Sequence, residues 1–206
     1  MSAAGSAPSA DDTDLGPVVE VATRLFAELG YDSTSAQTLA DATGMDTQTL
    51  VRRTGGRREL YRKVMQRAYQ AEQDMMAQVV ASAGEQGLNP HAAVDAYLDF
   101  YADHPLILSL WMHRWMGDAA DVGELEAEYV EPQVAVIAGL SAGMVPSDVN
   151  VEYLVRTVVW CVFGFLAGGM SVNGRHSPSI GAQPPAQLEE FRRHLHTLID
   201  RMLAAR

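Results

Sequence analysis

Residues 49–60, TLVRRTGGRREL, set four arginines against one acid, Glu59, in a chain whose formal net charge is -11. Guanidinium groups at this density suit forked hydrogen bonding to phosphate oxygens. From Arg52 to Arg67 the bases are Arg52, Arg53, Arg57, Arg58, Arg62, Lys63 and Arg67, a local balance of +6 that leaves -17 for the remainder. A uniformly acidic protein repels nucleic acid, whereas an acidic body with one basic patch docks through the patch. Gln48 and Arg52 add base-reading chemistry, because a glutamine amide pairs with adenine and a guanidinium with guanine. The same cluster also fits a solvated helix face, and its surroundings have to decide.

Other chemistry is not signalled. There is no GxSxG, HExxH or phosphate-loop pattern, so no catalytic residue and no enzyme activity is expected. His194 and His196 are two apart and cannot share a helix face, and no His and carboxylate set has ligand spacing. Cys161 is the single cysteine, without a partner for a disulfide. Neither metal nor cofactor is expected.

The elements that must carry these residues read as helices throughout, an all-α chain. Val18, Val21, Ala22, Leu25, Phe26 and Leu29 recur at helical spacing before Gly30, which supplies the stop. Thr34 and Gln37 have the spacing of a capping box, predicting a short helix from Thr34 with Ala36, Leu39 and Ala40 inward. Gly44 allows a sharp turn, and Asp46 offers an N-cap oxygen for a second short helix with Leu50 inward. Two short helices around a glycine turn, followed by arginines, make a helix-turn-helix. Its second helix enters the major groove N-terminus first, which places Thr47, Gln48 and Arg52 near base edges.

Residues 18–64 resemble the DNA-binding domain of the TetR family of bacterial transcriptional regulators. The resemblance rests on RLFAELGYDSTS, LADATGM, Thr49-Leu50 and GRREL. It implies a palindromic double-stranded operator, a homodimer, a small-molecule effector and, as the common mode, repression in the cytoplasm. It also assigns Arg57 to a phosphate at the start of the next helix, with Thr34 and Ser35 as secondary phosphate contacts. Three positions depart from the family pattern. Val51 stands where an aromatic is usual, and Arg53 and Thr54 replace histidine and phenylalanine. Arg53 offers phosphate a better ligand than neutral histidine, while Thr54 predicts thinner apolar filling under the recognition helix. These losses keep an alternative open, a helical small-molecule-binding or protein-interaction dimer that no longer reads DNA.

Leu60, Val64, Ala68, Ala71, Met75 and Val79 form a stripe that predicts one long helix, running to about residue 83, from the basic module at 17–64 into a second helical domain at 85–206. In that domain Tyr97, Phe100, Tyr101, Trp111, Met112, Trp115, Trp160 and Phe163 are candidates to line an apolar effector cavity, with His104, His113, Arg114 or Arg156 as polar anchors. Packing in the core is the alternative use of each. Gly164, Ala167 and Gly168, together with Leu188, Phe191, Leu195, Leu198 and Met202 at alternating threes and fours, predict the dimer interface. The acid-rich segment at 118–131 reads as a solvated face. Residues 1–16 have neither the basic region nor the apolar core of a signal peptide and read as a disordered acidic tail. The apolar run at 158–170 is broken by glycines and short of a membrane span of roughly 20 residues.

Overall fold

A computed structural model describes residues 15–83, 88–123, 125–141, 143–168 and 183–204. The expected tail up to residue 14 and residues 84–87 and 169–182 lie outside the described residues. Regular structure among the described residues is helical throughout.

Helix α1 (Gly16–Leu29) carries Pro17 in its first turn, where the missing N–H costs nothing, and buries Val18, Val19, Ala22, Phe26 and Ala27. Gly30, at φ 80°, ends it by donating its N–H to the Phe26 carbonyl. Two short helices follow, α2 (Ala36–Thr43) and α3 (Thr47–Thr54), and then the long α4 (Arg57–Ala83). Neither short helix is stable alone at eight residues. Both are held by a shared core in which Leu39, Leu50 and Leu60 are fully buried, each contributing about 1.5–3 kcal/mol on transfer from water. Beside them the Phe26 ring meets Tyr61 edge-on at 5.1 Å, and Tyr31 lies 4.7 Å from Tyr61.

The larger domain begins with α5 (Pro90–Asp103), whose N-cap Asn89 accepts from the N–H groups of His91 and Ala92. Helix α6 (Pro105–Trp115) packs on α1 as well as on its own domain. A π-helical turn (Glu126–Val130) then leads into α7 (Glu131–Ser141), a helix the hydrophobic pattern did not announce. Helix α8 (Val151–Gly168) buries Leu154, Val158, Val162, Phe163, Phe165 and Leu166. At 18 residues and mean hydropathy 1.5 it is apolar enough to cross a membrane by length and composition, and a third of it is buried in the protomer. Helix α9 (Pro185–Leu203) lies antiparallel to α5, because Arg192 pairs with Asp95 and Asp99 while Asp200 pairs with His91.

This packing corrects one part of the expected dimer seam. Leu195 is fully buried inside its own protomer and is not available to a second subunit. Phe191 is likewise engaged at home, stacked on Phe165 at 4.0 Å.

Candidate nucleic-acid interface and effector cavity

The turn between α2 and α3 is built from local hydrogen bonds. Gly44, at φ 69°, returns its N–H to Ala40, and Met45 N–H bonds the same carbonyl, closing α2 in the left-handed cap that glycine permits. Asp46 then caps α3 by accepting from the Thr49 N–H at 2.8 Å and the Thr49 hydroxyl at 2.8 Å. Those two bonds hold its carboxyl below the usual range, the backbone N–H contributing most, so the cap is a carboxylate. Across the turn Thr47 donates to the Gln37 side-chain oxygen at 2.9 Å, tying the first residue of α3 to α2. The far end of α3 is closed by Gly55, at φ 81°, where a Cβ would also meet Glu59 at 3.0 Å.

Gln48 and Arg52 are exposed on α3, one turn apart, and Arg52 is steadied by a bond to the Thr49 hydroxyl at 3.0 Å. Thr47 and Arg53 are half-buried and Ser35 is exposed. Ser35, not Thr34, is the N-cap of α2, accepting from the Thr38 N–H at 3.0 Å. Thr34 is turned inward, fully buried, with its hydroxyl donated to the Gly30 carbonyl at 2.6 Å, so it cannot reach a phosphate. Arg57 is half-buried: its guanidinium lies 4.1 Å above the Tyr31 ring and donates to the carbonyls of Tyr31 and Thr34. Its Nη1 therefore braces the loop before α2 and is not free for phosphate. Thr54 is buried at the end of the recognition helix. Its buried hydroxyl donates to Leu50 and accepts from the Gly56 N–H, so the polar group is fully used.

A cavity of about 380 Å³ lies in the larger domain among α4, α5, α6, α7 and α8. Of the aromatic residues expected there, Tyr97, Tyr101, Trp111, Trp115, Trp160 and Phe163 line it. Phe100 and Met112 do not: Phe100 is buried beside the His104 ring, and Met112 packs against the core. Of the expected anchors only Arg156 faces the space. His104 bonds the Phe100 carbonyl, His113 the Ala27 carbonyl and Arg114 the Ala119 carbonyl, so all three serve the fold. The polar group that sequence reasoning missed is Glu72 of α4, buried in the cavity wall and bonded by Trp111 Nε1 and the Tyr101 hydroxyl. It was visible in principle, as an acid four positions from Ala68 on the inward stripe.

Residues 18–64 match the sequence model of the bacterial regulatory proteins of the tetR family. Over these residues the chain is similar to the TetR family. Solved structures extend the likeness in fold to nearly the whole chain. A ketosteroid transcriptional regulator of Mycobacterium tuberculosis aligns over 98% of this chain and 99% of its own at TM-score 0.62 and 14% identity. A TetR-family regulator from a Shewanella species aligns over 92% and 97% at TM-score 0.64 and 17% identity. A third, from Streptomyces coelicolor, covers 91% of both chains at TM-score 0.60 and 21% identity. No curated protein matches the chain.

Within this fold the cavity and the helix-turn-helix are joined twice. Helix α4 runs from the basic module to Glu72 in the cavity wall. The second joint is α6, which carries Trp111 in the cavity and grips α1 through Ser109, whose hydroxyl donates to the Ala27 carbonyl at 2.8 Å. Just beyond α6, the Asp118 carboxylate accepts from the N–H groups of Tyr31 at 2.6 Å and Asp32 at 2.8 Å. Asp121 accepts from the Tyr31 hydroxyl, and Glu128 pairs with Arg62 at 3.2 Å. The acid-rich segment is therefore not a bland solvated face: part of it is fastened to the helix-turn-helix module.

Proposed function

We propose that the protein is a dimeric, ligand-responsive DNA-binding transcriptional regulator, a repressor released by a small apolar or aromatic effector. One observation carries the reading: α3 holds Gln48 and Arg52 outward on a capped helix at the tip of the one strongly basic region of an acidic chain. In the complex α3 lies in the major groove, Gln48 and Arg52 read bases, and Ser35, Thr47 and Arg53 meet phosphates or the groove rim. The residue division is a basic module at 17–64 and an effector and dimer domain at 85–206, joined by α4. The ketosteroid regulator and its relatives support a regulatory role through their fold.

The dimer face is assigned to the outer side of α8, where Tyr153 is 65% exposed, Trp160 is 50% exposed and Gly164 and Gly168 leave the backbone open. Ala167 of α8 and Leu198 and Met202 of α9 extend it. A dimer presents two α3 helices to successive major-groove faces about 34–36 Å apart, so the operator is a palindrome. An effector that shifts Trp111 or Glu72 moves α6 or α4 and with it the spacing of the two α3 helices.

Selection of DNA from a random pool, followed by fluorescence anisotropy across a salt series, tests this. A palindromic site whose affinity falls steeply with salt is expected, the slope reporting counterions released by the arginines. A folded dimer that enriches no site at low salt would end the reading.

A further inference from the structure

Glu72 is 4% exposed, and its carboxylate has only neutral donors, the Trp111 indole N–H and the Tyr101 hydroxyl. No base among the described residues forms an ion pair with it, Arg156 of the same cavity included. Desolvation dominates the two hydrogen bonds and raises its carboxyl to about 7. Burial also holds Tyr97 and Tyr101 well above the phenol range, so both are neutral. An ionised Glu72 accepts a hydrogen bond from the Tyr101 hydroxyl, which leaves the Tyr101 oxygen to accept from Tyr97. The negative charge of Glu72 thus sits, without an ion-pair partner, in a chamber walled largely by aromatic rings, with Arg156 as the one base on its lining.

Two features of that chamber select the same kind of guest. The faces of aromatic rings are negative, and a cation held against them is attracted, the more strongly the less water intervenes. The carboxylate adds a full opposite charge at low dielectric, where it acts far more strongly than in water. An anion meets both with repulsion, and a neutral guest gains only from apolar contact. Arg156 opposes a cation, but it is half-buried, so solvent screens its charge more than that of Glu72. A narrower apolar space of about 100 Å³ adjoins this cavity, with Tyr97, Ile137, Val155 and Val159 lining both.

We propose that the cavity takes a hydrophobic organic cation, an aryl or alkyl ammonium compound, with Glu72 as its counter-charge and the rings of Trp111, Trp115 and Trp160 as its walls. The proposal rests on the reading of this cavity as the effector site and names the chemistry of that effector.

The protein supplies its own reporter, because its three tryptophans are Trp111, Trp115 and Trp160 and all line the cavity. The full-length protein is titrated with phenyltrimethylammonium, with its uncharged carbon isostere tert-butylbenzene, and with 4-tert-butylbenzoate, following tryptophan emission. Saturable quenching by the ammonium ion is expected, with affinity at least about tenfold above the isostere. Glu72→Gln keeps an oxygen for Trp111 and Tyr101, and it is expected to remove that preference while leaving isostere binding within about threefold. A second measurement needs no variant: a quaternary ammonium ion does not titrate, so its affinity for the native protein should rise from about pH 6 to about pH 8 as Glu72 ionises. Equal or better binding of the isostere or the benzoate, absence of saturable quenching by the cation, or a preference that survives Glu72→Gln each overturns the proposal. DNA binding is measured separately, without probe. Failure of the cation test therefore leaves the regulator reading standing, and failure to bind DNA leaves the cation result intact.

Discussion

At the scale of single residues, Glu72 and the pair Gln48 and Arg52 make opposite demands on the fold. Glu72 carries a cost: its folded carboxyl is raised from the ordinary 4.5 to about 7 by burial, so the native state binds a proton more tightly than the unfolded chain. Stability from this group is therefore highest at low pH and falls as pH rises from about 4.5 to about 7, then levels off. The full loss is on the order of 3 kcal/mol. Chemical denaturation of the native protein and Glu72→Gln at matched pH checks this: the difference between the two should change in favour of the variant across that interval. A pH-independent difference would mean that Glu72 is neutral or solvated throughout. Gln48 and Arg52 cost the fold little, since both are exposed. Replacing both with alanine should leave thermal stability nearly unchanged while removing about 1–3 kcal/mol of base discrimination at each position. Anisotropy with the selected site against a scrambled one reads this directly, and an unchanged ratio would move base reading elsewhere.

At the scale of elements, the 118–121 segment is fastened to the loop after α1 by side-chain hydrogen bonds. Asp118 serves two backbone N–H groups that no helix satisfies, those of Tyr31 and Asp32. Asp118→Ala leaves both without their acceptor and should cost about 1–3 kcal/mol. Hydrogen exchange at the Tyr31 and Asp32 amides should accelerate in the variant, while amides in α8 keep their protection. Gly30 is part of the same joint, since a Cβ there would meet the Asp118 carboxylate and the His113 ring at 3.2 Å, on a backbone at φ 80°. The sequence announced the short elements well because their signals are local: a glycine at 44, an aspartate at 46 and an apolar residue at 50 suffice to write a turn and a capped helix. It did not announce the joint. Asp118 and Tyr31 lie 87 residues apart, and nothing in an acidic run says which carboxylate finds a backbone amide. Thr34 and Arg57 failed for a related reason. Their types suit phosphate, but whether a hydroxyl or guanidinium points outward depends on the Gly30 and Tyr31 carbonyls waiting beside them. Glu72 was readable only as an anomaly on an apolar stripe, and Leu195 fell to its own core because a seam of leucines does not say which subunit fills it.

At the scale of the whole molecule, the proposed dimer must leave each protomer intact while joining two of them, and α8 allows those requirements to be separated. Gly164 and Gly168 are exposed in the protomer, and a Cβ at either would meet nothing within 4 Å. Glycine in a helix interior also costs roughly 1 kcal/mol relative to alanine, so a side chain at 164 should not weaken the isolated protomer. Gly164→Glu places a charge between Tyr153 and Trp160 on one side and Gly168 on the other, in the middle of the face assigned to the partner. If two copies meet there, the charge is buried without a counter-ion and the dimer is lost. Sedimentation at micromolar concentration should then give a monomer whose circular dichroism matches the native protein. Its affinity for a palindromic site should fall by at least about tenfold, because the two half-sites are no longer bound by one linked body. Affinity for a single half-site should remain, since α3 and its arginines are untouched. A variant that stays dimeric would place the interface off this face of α8, and one that loses dimerisation but keeps full palindrome affinity would show that the protein reads DNA one protomer at a time.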